Sequence, residues 1–300
     1  VGNYALKAND AADNVGLGYK ALCANTTGAN NTAIGTNALD ANTTGCRNVA
    51  VGVGSLGTNT TAINNAAIGY GALFTNTTGA CNVAMGSCAL NKNTTAANNT
   101  AVGSFALEQN TTGITNVAVG KLALNRNTTG QQNTSMGASS LEANTTGSRN
   151  STAGTSSLAT NISGNDNTAF GHAALGANTT ASNNTAVGRA SMQANTTGAN
   201  NVAVGMQSLN ANTTGFQNVA VGSLALITNT TGQENTAVGH KALTSATTSC
   251  GNVAVGMCSL HNHTTGGDNN AIGMCSQFTT STGAANNSMG HKSMENNTTG

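Results

Sequence analysis

Asn31-Thr32-Ala33-Ile34-Gly35-Thr36-Asn37-Ala38-Leu39-Asp40-Ala41-Asn42-Thr43-Thr44-Gly45-Cys46-Arg47 is followed at once by Asn48-Val49-Ala50-Val51-Gly52. The same frame returns at Asn65, Asn82, Asn99 and onward to Asn286, always seventeen residues apart. Four residues after each of these asparagines stands a glycine, among them Gly35, Gly52 and Gly69. Outward from the quoted stretch, only the segment before Asn14 leaves the frame, by one residue. A fixed period of this length is the signature of a repeat architecture. The consensus is N-[TV]-A-[VI]-G-x-x-[AS]-L-x-x-N-T-T-G-x-x.

Each part of the repeat has a physical reading. Asn31 to Ile34 alternates β-formers with a small residue, which is the period of a strand. Thr32 and Ile34 point one way and Ala33 the other. A second short extended piece is expected at Ala38 and Leu39. Asn42 to Gly45 places Asn first and Gly last in a four-residue turn, as turn chemistry favours. Seventeen residues are too few for a helix, a loop and a strand, and no helical spacing of apolar residues is sustained. The expected fold is all-β: a parallel β-solenoid with one coil per repeat, continuous over residues 1–300.

Stacked coils repeat at about 4.8 Å, so identical residues form columns. Two apolar columns are expected to fill the interior: Ile34, Val51, Ile68 and Met85 at the fourth position, and Leu39, Leu56 and Leu73 at the ninth. Asn31, Asn48, Asn65 and Asn82 are expected to form an amide ladder that satisfies buried polar groups. Two large side chains per coil offer little against the entropy of ordering seventeen residues. A homo-oligomer, trimer or filament, is therefore expected. The small residues Ala33, Ala50 and Ala67, with Gly35, Gly52 and Gly69, would face the neighbouring chains. The alternative is that they fit a tight coil interior, with the glycines also marking a kink of positive φ.

Composition narrows the function classes. Charged residues are only 6% and there is no Pro, which is unlike a disordered chain. Aromatic residues are 3%, too few for the core of an ordinary enzyme. A net charge of +1 provides no field for nucleic acid, and no apolar run approaches a membrane span. Val1 and Gly300 both fall inside a repeat rather than at a cap, so the chain reads as a stretch of a longer repeat protein.

Asn31-Thr32-Ala33-Ile34-Gly35 and Asn201-Val202-Ala203-Val204-Gly205 resemble the N-S-V-A-I-G repeats of trimeric autotransporter adhesin heads. Units of the form N-T-A-V-G-x-x-A-L-x-x-N-T-T-G are also similar to repeats of phage tail-fibre-like and bacterial surface proteins. The resemblance covers the whole chain. It implies a left-handed parallel β-roll, three chains about one axis, and an adhesive or spacer role at a cell surface, outside the cell or on a phage fibre. The coil here is longer than the adhesin pattern, because the N-T-T-G turn is extra. The expected function is a structural or adhesive fibre, without enzymatic activity or cofactor. The alternative is a solenoid module that binds carbohydrate or ice.

Several residues invite chemistry. Cys258 and Cys275 share one position in adjacent coils, within reach of a disulfide. Cys258, His261, His263 and Cys275 lie close in the expected stack and have ligand types that suit zinc, although their spacing matches no common motif. Asn42, Asn59, Asn76 and Asn93 begin N-T-T sequons, so glycosylation competes there with plain turn chemistry. The Thr columns of the same turns, Thr43 with Thr60 and Thr44 with Thr61, bring ice to mind. A host receptor or a glycan would contact the lateral variable positions, such as Tyr70, Lys121, Arg189 and His240. No Ser-His-Asp set, carboxylate pair or phosphate loop is present.

Overall fold

The computed structural model describes residues 2–299, so Val1 and Gly300 lie outside the described residues. The chain is an all-β parallel β-solenoid of seventeen-residue turns, without a helix among the described residues. It divides into two compact units, residues 1–150 and 151–300. The first runs from β1 (Val15–Leu17) to β8 (Thr134–Met136), and the second from β9 (Ser151–Ala153) to β17 (Asn287–Met289). Each strand is three residues long, and within a unit each pairs in parallel with the next coil's strand. The register is a shift of one whole repeat: Thr32 opposes Val49, Ala33 opposes Ala50, and Ile34 opposes Val51.

Three expectations about the coil are corrected by its geometry. First, Ala38 and Leu39 are not a second strand. They belong to two consecutive turns, closed by Ala38 N–H to Gly35 O (3.3 Å) and Asn42 N–H to Leu39 O (3.2 Å). Leu39, Leu56 and Leu73 take φ of 50°, 50° and 53°. A left-handed conformation costs a leucine roughly 1–2 kcal/mol. Full burial of the side chain contributes about 1.5–3 kcal/mol and outweighs it. The leucine amide also bonds to the next coil, as Leu39 N–H does to Ser55 O at 3.0 Å.

Second, the strand faces the other way round. Ala33 is 0% exposed, whereas Ile34 is 37% and Met85 41% exposed. The interior is narrow: Leu39 comes in from the turn side, and opposite it stands a small side chain, Ala in most coils, with the buried Ser135 and Thr152 among the exceptions. The larger apolar side chain is therefore turned outward. The alanine column lies inside each chain and not between chains, which is the tight-interior alternative.

Third, the glycines after the strands serve the coil itself. Gly35, Gly52 and Gly69 have φ of 133°, 135° and 133°. A Cβ on Gly35 would also sit 2.5 Å from the carbonyl oxygen of Gly52 in the next coil. Both the dihedral and the close approach of neighbouring backbones require glycine.

The one-residue irregularity before Asn14 is absorbed in a turn. Asn9 takes the place that Asn25 holds one coil on, and Asn25 Nδ2 donates to its Oδ1 at 2.6 Å. Asn9 Nδ2 in turn donates to Ala11 O at 2.8 Å. The ladder survives because the missing residue falls outside the strand.

Candidate functional site

Two asparagine columns organise the interior. In the first, the backbone N–H of Asn48 donates to Asn31 Oδ1 at 2.9 Å, and that of Asn65 to Asn48 Oδ1 at 3.0 Å. Asn82 continues it at 2.9 Å on Asn65. The side-chain nitrogens reach to a turn carbonyl, as Asn31 Nδ2 does to Gly45 O at 2.8 Å, and in several coils also to the preceding asparagine, as Asn48 Nδ2 does to Asn31 Oδ1 at 3.2 Å. Side chains thus tie strand to strand and also close each coil.

The second column is the N-T-T asparagines. Asn42, Asn59, Asn76 and Asn93 are fully buried. Asn59 Nδ2 donates to Asn42 Oδ1 at 2.9 Å, Asn76 Nδ2 to Asn59 Oδ1 at 3.1 Å, and Asn93 Nδ2 to Asn76 Oδ1 at 2.9 Å. Each nitrogen also donates to the turn carbonyl three residues on, as Asn42 does to Gly45 O at 3.0 Å. Gly45 O therefore accepts from both columns. A glycan on these nitrogens and this fold exclude each other. Turn grammar explains the Asn and so hid the ladder. One signal was readable: Ala62, Ala96 and Ala181 replace the turn glycine while their asparagines remain.

The second column fails in one place. Ala246, His263 and Thr280 occupy it, and all three are buried. Asn229 Oδ1 is left without a donor, because Ala246 has none to offer. His263 Nε2 bonds to Gly266 O, so the ring copies the asparagine's bond within the coil. Its Nδ1 has no partner. Burial pushes the His263 pKa below the usual imidazole value, against the opposing pull of the Gly266 and Thr280 backbone contacts.

The possible disulfide is not formed: Cys258 and Cys275 are free thiols. Burial, and then the neighbouring Cys275, push the Cys258 thiol above its usual pKa. It therefore stays protonated, the less reactive form. The zinc grouping does not assemble either. His263 turns into the coil interior, His261 stacks on Phe278 with ring centroids 4.9 Å apart, and no cluster of three ligand types occurs among the described residues.

The outer surface carries two features. The outward strand residues form an apolar strip. In the first unit a shallow pocket of about 260 Å³ is lined by Asn37, Val53, Gly54, Tyr70, Gly71 and Phe74, with Asn91 at its edge. Gly54 and Gly71 stand where most coils carry a side chain, which opens the hollow, and the Phe74 ring lies over Gly54 and Gly57. Tyr70 projects beside it, 66% exposed. Asn91 Nδ2 is held by Gly71 O at 2.8 Å, while Asn37 Oδ1 has no partner. No charged residue lines the pocket. Of the four lateral contact positions, only Tyr70 belongs to it. Lys121 is exposed elsewhere in the first unit, and Arg189 and His240 are exposed in the second.

The architecture defines a class, the repetitive parallel β-solenoids with asparagine ladders. Compared with known proteins, the chain matches no family model and no curated protein.

Proposed function

We propose that the chain is a structural element, a segment of an extracellular or cell-surface fibre or spacer built from stacked β-coils, with adhesion as its outward role. The observation that supports this most is where the chemistry lies. The asparagines, most of the hydroxyls of the first turn threonines and the backbone groups are engaged in holding coil on coil. Thr43 Oγ1 donates to Thr60 O at 3.1 Å, and Thr77 Oγ1 to Thr94 O at 3.1 Å. The resemblance to adhesin-head and tail-fibre repeats points the same way, although the trimer it implies cannot use the alanine column. Lysines and arginines together number only 10, so trypsin-like proteases meet few targets. Limited trypsin digestion of the native chain checks this reading: persistence of the full-length band for hours supports a durable spacer, and cleavage within minutes at Lys121 or Arg126 contradicts it.

The second reading, a carbohydrate-binding module, is favoured by the Tyr70–Phe74 pocket. Two aromatic rings and no charge suit a neutral pyranose. An array of neutral glycans read with the wild type and with Tyr70→Ala tests it. Signal that disappears in the variant supports the module, and no signal from either removes it. The ice reading is weakened by the Thr43 column, whose hydroxyls already donate to backbone.

A further inference from the structure

The outward strand face of residues 151–300 combines three properties that a lone solenoid has no use for. Its fourth-position side chains are apolar in every coil, including Phe170, Val187, Val204, Val221, Val238 and Ile272. They stand on the solvent side of the strands, with Phe170 44% and Ile272 40% exposed. No second- or fourth-position residue of this unit is charged. Contiguous exposed apolar surface on this scale marks an interaction site.

The margins of the strip carry opposite charge. Along the edge after the strands, at the sixth and seventh positions, every charged residue is basic: Arg189, Lys241 and Lys292, with His172, His240 and His291 among them. Along the edge before the strands, at the seventeenth position, Arg149 precedes the first strand, and every charged residue after it is acidic: Asp166, Glu234 and Asp268. Glu234 and Lys241 flank the same strand, Thr236–Val238, from its two ends.

We infer that this face pairs with the same face of a second copy of the chain, the two coil stacks lying side by side and running in the same direction. The reasons are period, area and charge. A strip repeating once per coil, about 4.8 Å, is complementary to a partner with that same spacing, and a second copy has it by construction. Nine coils each offer two partly exposed side chains, roughly 1,000 Å² per chain, against the ~800 Å² per partner of a standard stable interface. Charge fixes the direction. A two-fold axis parallel to the stack brings the acidic margin of one copy over the basic margin of the other, so Glu234 meets the partner's Lys241 at the same level. Reversing one copy would set acid on acid and base on base. The arrangement has an apolar centre and a polar rim, as protein interfaces do.

This deepens the structural reading above and rests on it only for biological purpose. A monomeric chain that resists protease would overturn the pairing and leave the spacer intact, while a paired chain that is quickly digested would do the reverse. The experiment is sedimentation equilibrium of the full chain from 1 to about 100 μM, a range in which an interface of standard size is occupied. The expected mass is twice the 29.4 kDa of one chain. Val204→Asp with Val221→Asp, both on the outer face, should restore the single-chain mass with an unchanged circular dichroism spectrum and melting temperature. Glu234→Lys should weaken association roughly tenfold, since two symmetric contacts reverse sign. Adding Lys241→Glu should recover it. A single-chain mass throughout, association indifferent to the paired aspartates, or tighter association of Glu234→Lys would each overturn the proposal.

Discussion

Within residues 151–300, the coils around Asn178, Asn195, Asn212 and Asn229 differ from those around Ala246, His263 and Thr280 throughout one column, and in the Thr280 coil the buried Gln277 also replaces the interior leucine. In the former, each asparagine donates to the one before it: Asn195 Nδ2 to Asn178 Oδ1 at 3.0 Å and Asn212 Nδ2 to Asn195 Oδ1 at 2.8 Å. In the latter that chain of amides stops. The other column continues through both regions, from Asn218 Oδ1 accepting the Asn235 N–H at 3.1 Å to Asn252 Oδ1 accepting that of Asn269 at 3.1 Å. The strands also pair identically in both. The comparison separates two tasks: the first column and the glycines define the coil, and the second column locks its turn side.

The largest expected effect falls equally on both regions. Gly205→Ala and Gly273→Ala each place a Cβ on a backbone at φ 134° or 129°. That Cβ would lie 2.6 Å or 2.4 Å from the next coil's carbonyl oxygen. Each should cost about 3 kcal/mol or more in urea unfolding, and a difference between the two sites would break the claim that the coil scaffold is uniform. Next, Asn195→Ala removes the rungs to Asn178 and Asn212 and should cost about 3 kcal/mol, because two buried amides lose partners. At the equivalent place in the interrupted region, Thr280→Ala should change stability by less than about 0.5 kcal/mol, because Thr280 Oγ1 has no partner to lose.

Repair should work in the opposite direction. Ala246→Asn supplies a donor to Asn229 Oδ1 and should stabilise by about 1 kcal/mol, read as a higher urea midpoint. The smallest effect is one of pH. His263 binds its proton less readily when folded than when unfolded, since burial lowers its pKa from 6.5. The unfolded chain then holds more protons below pH 6.5, so stability is full above that value and declines as the pH falls beneath it. His263→Asn should remove the decline, which parallel urea titrations at two pH values would show.

Much of the fold was legible and part of it was not. The period, the strand at each Asn-x-Ala-x and the need for glycine after it follow from residue types whose local preferences agree. Which strand face is inside did not follow. Alternation tells the faces apart without saying which one is buried, and hydrophobicity favours Ile34 over Ala33. The width of the lumen decides, and it is set by Leu39 arriving from the turn side. That arrival depends on a leucine at positive φ, a conformation that no sequence rule favours and that only burial and stacking impose. Asn42 was misleading for another reason. A turn, a sequon and a ladder all need the same side chain, and only its neighbours one coil away distinguish them. The apolar strip and its charged margins were present in the sequence as columns, but they acquire meaning only once those columns are known to face outward.

Amide hydrogen exchange measured coil by coil tests the separation of tasks most directly. The amides just after the second column bond across coils in both regions: Thr196 to Thr213 O at 3.0 Å and Thr213 to Thr230 O at 2.9 Å in one, Thr247 to Thr264 O at 3.2 Å and Thr264 to Ser281 O at 2.9 Å in the other. Strand amides such as Val202 and Val253 bond at 2.8 Å in both and serve as the internal control. The account predicts that Thr196 and Thr213 exchange markedly more slowly than Thr247 and Thr264, while Val202 and Val253 exchange alike. Equal protection of the two sets of turn amides would contradict it, because the second asparagine column would then contribute nothing that the strands do not already supply.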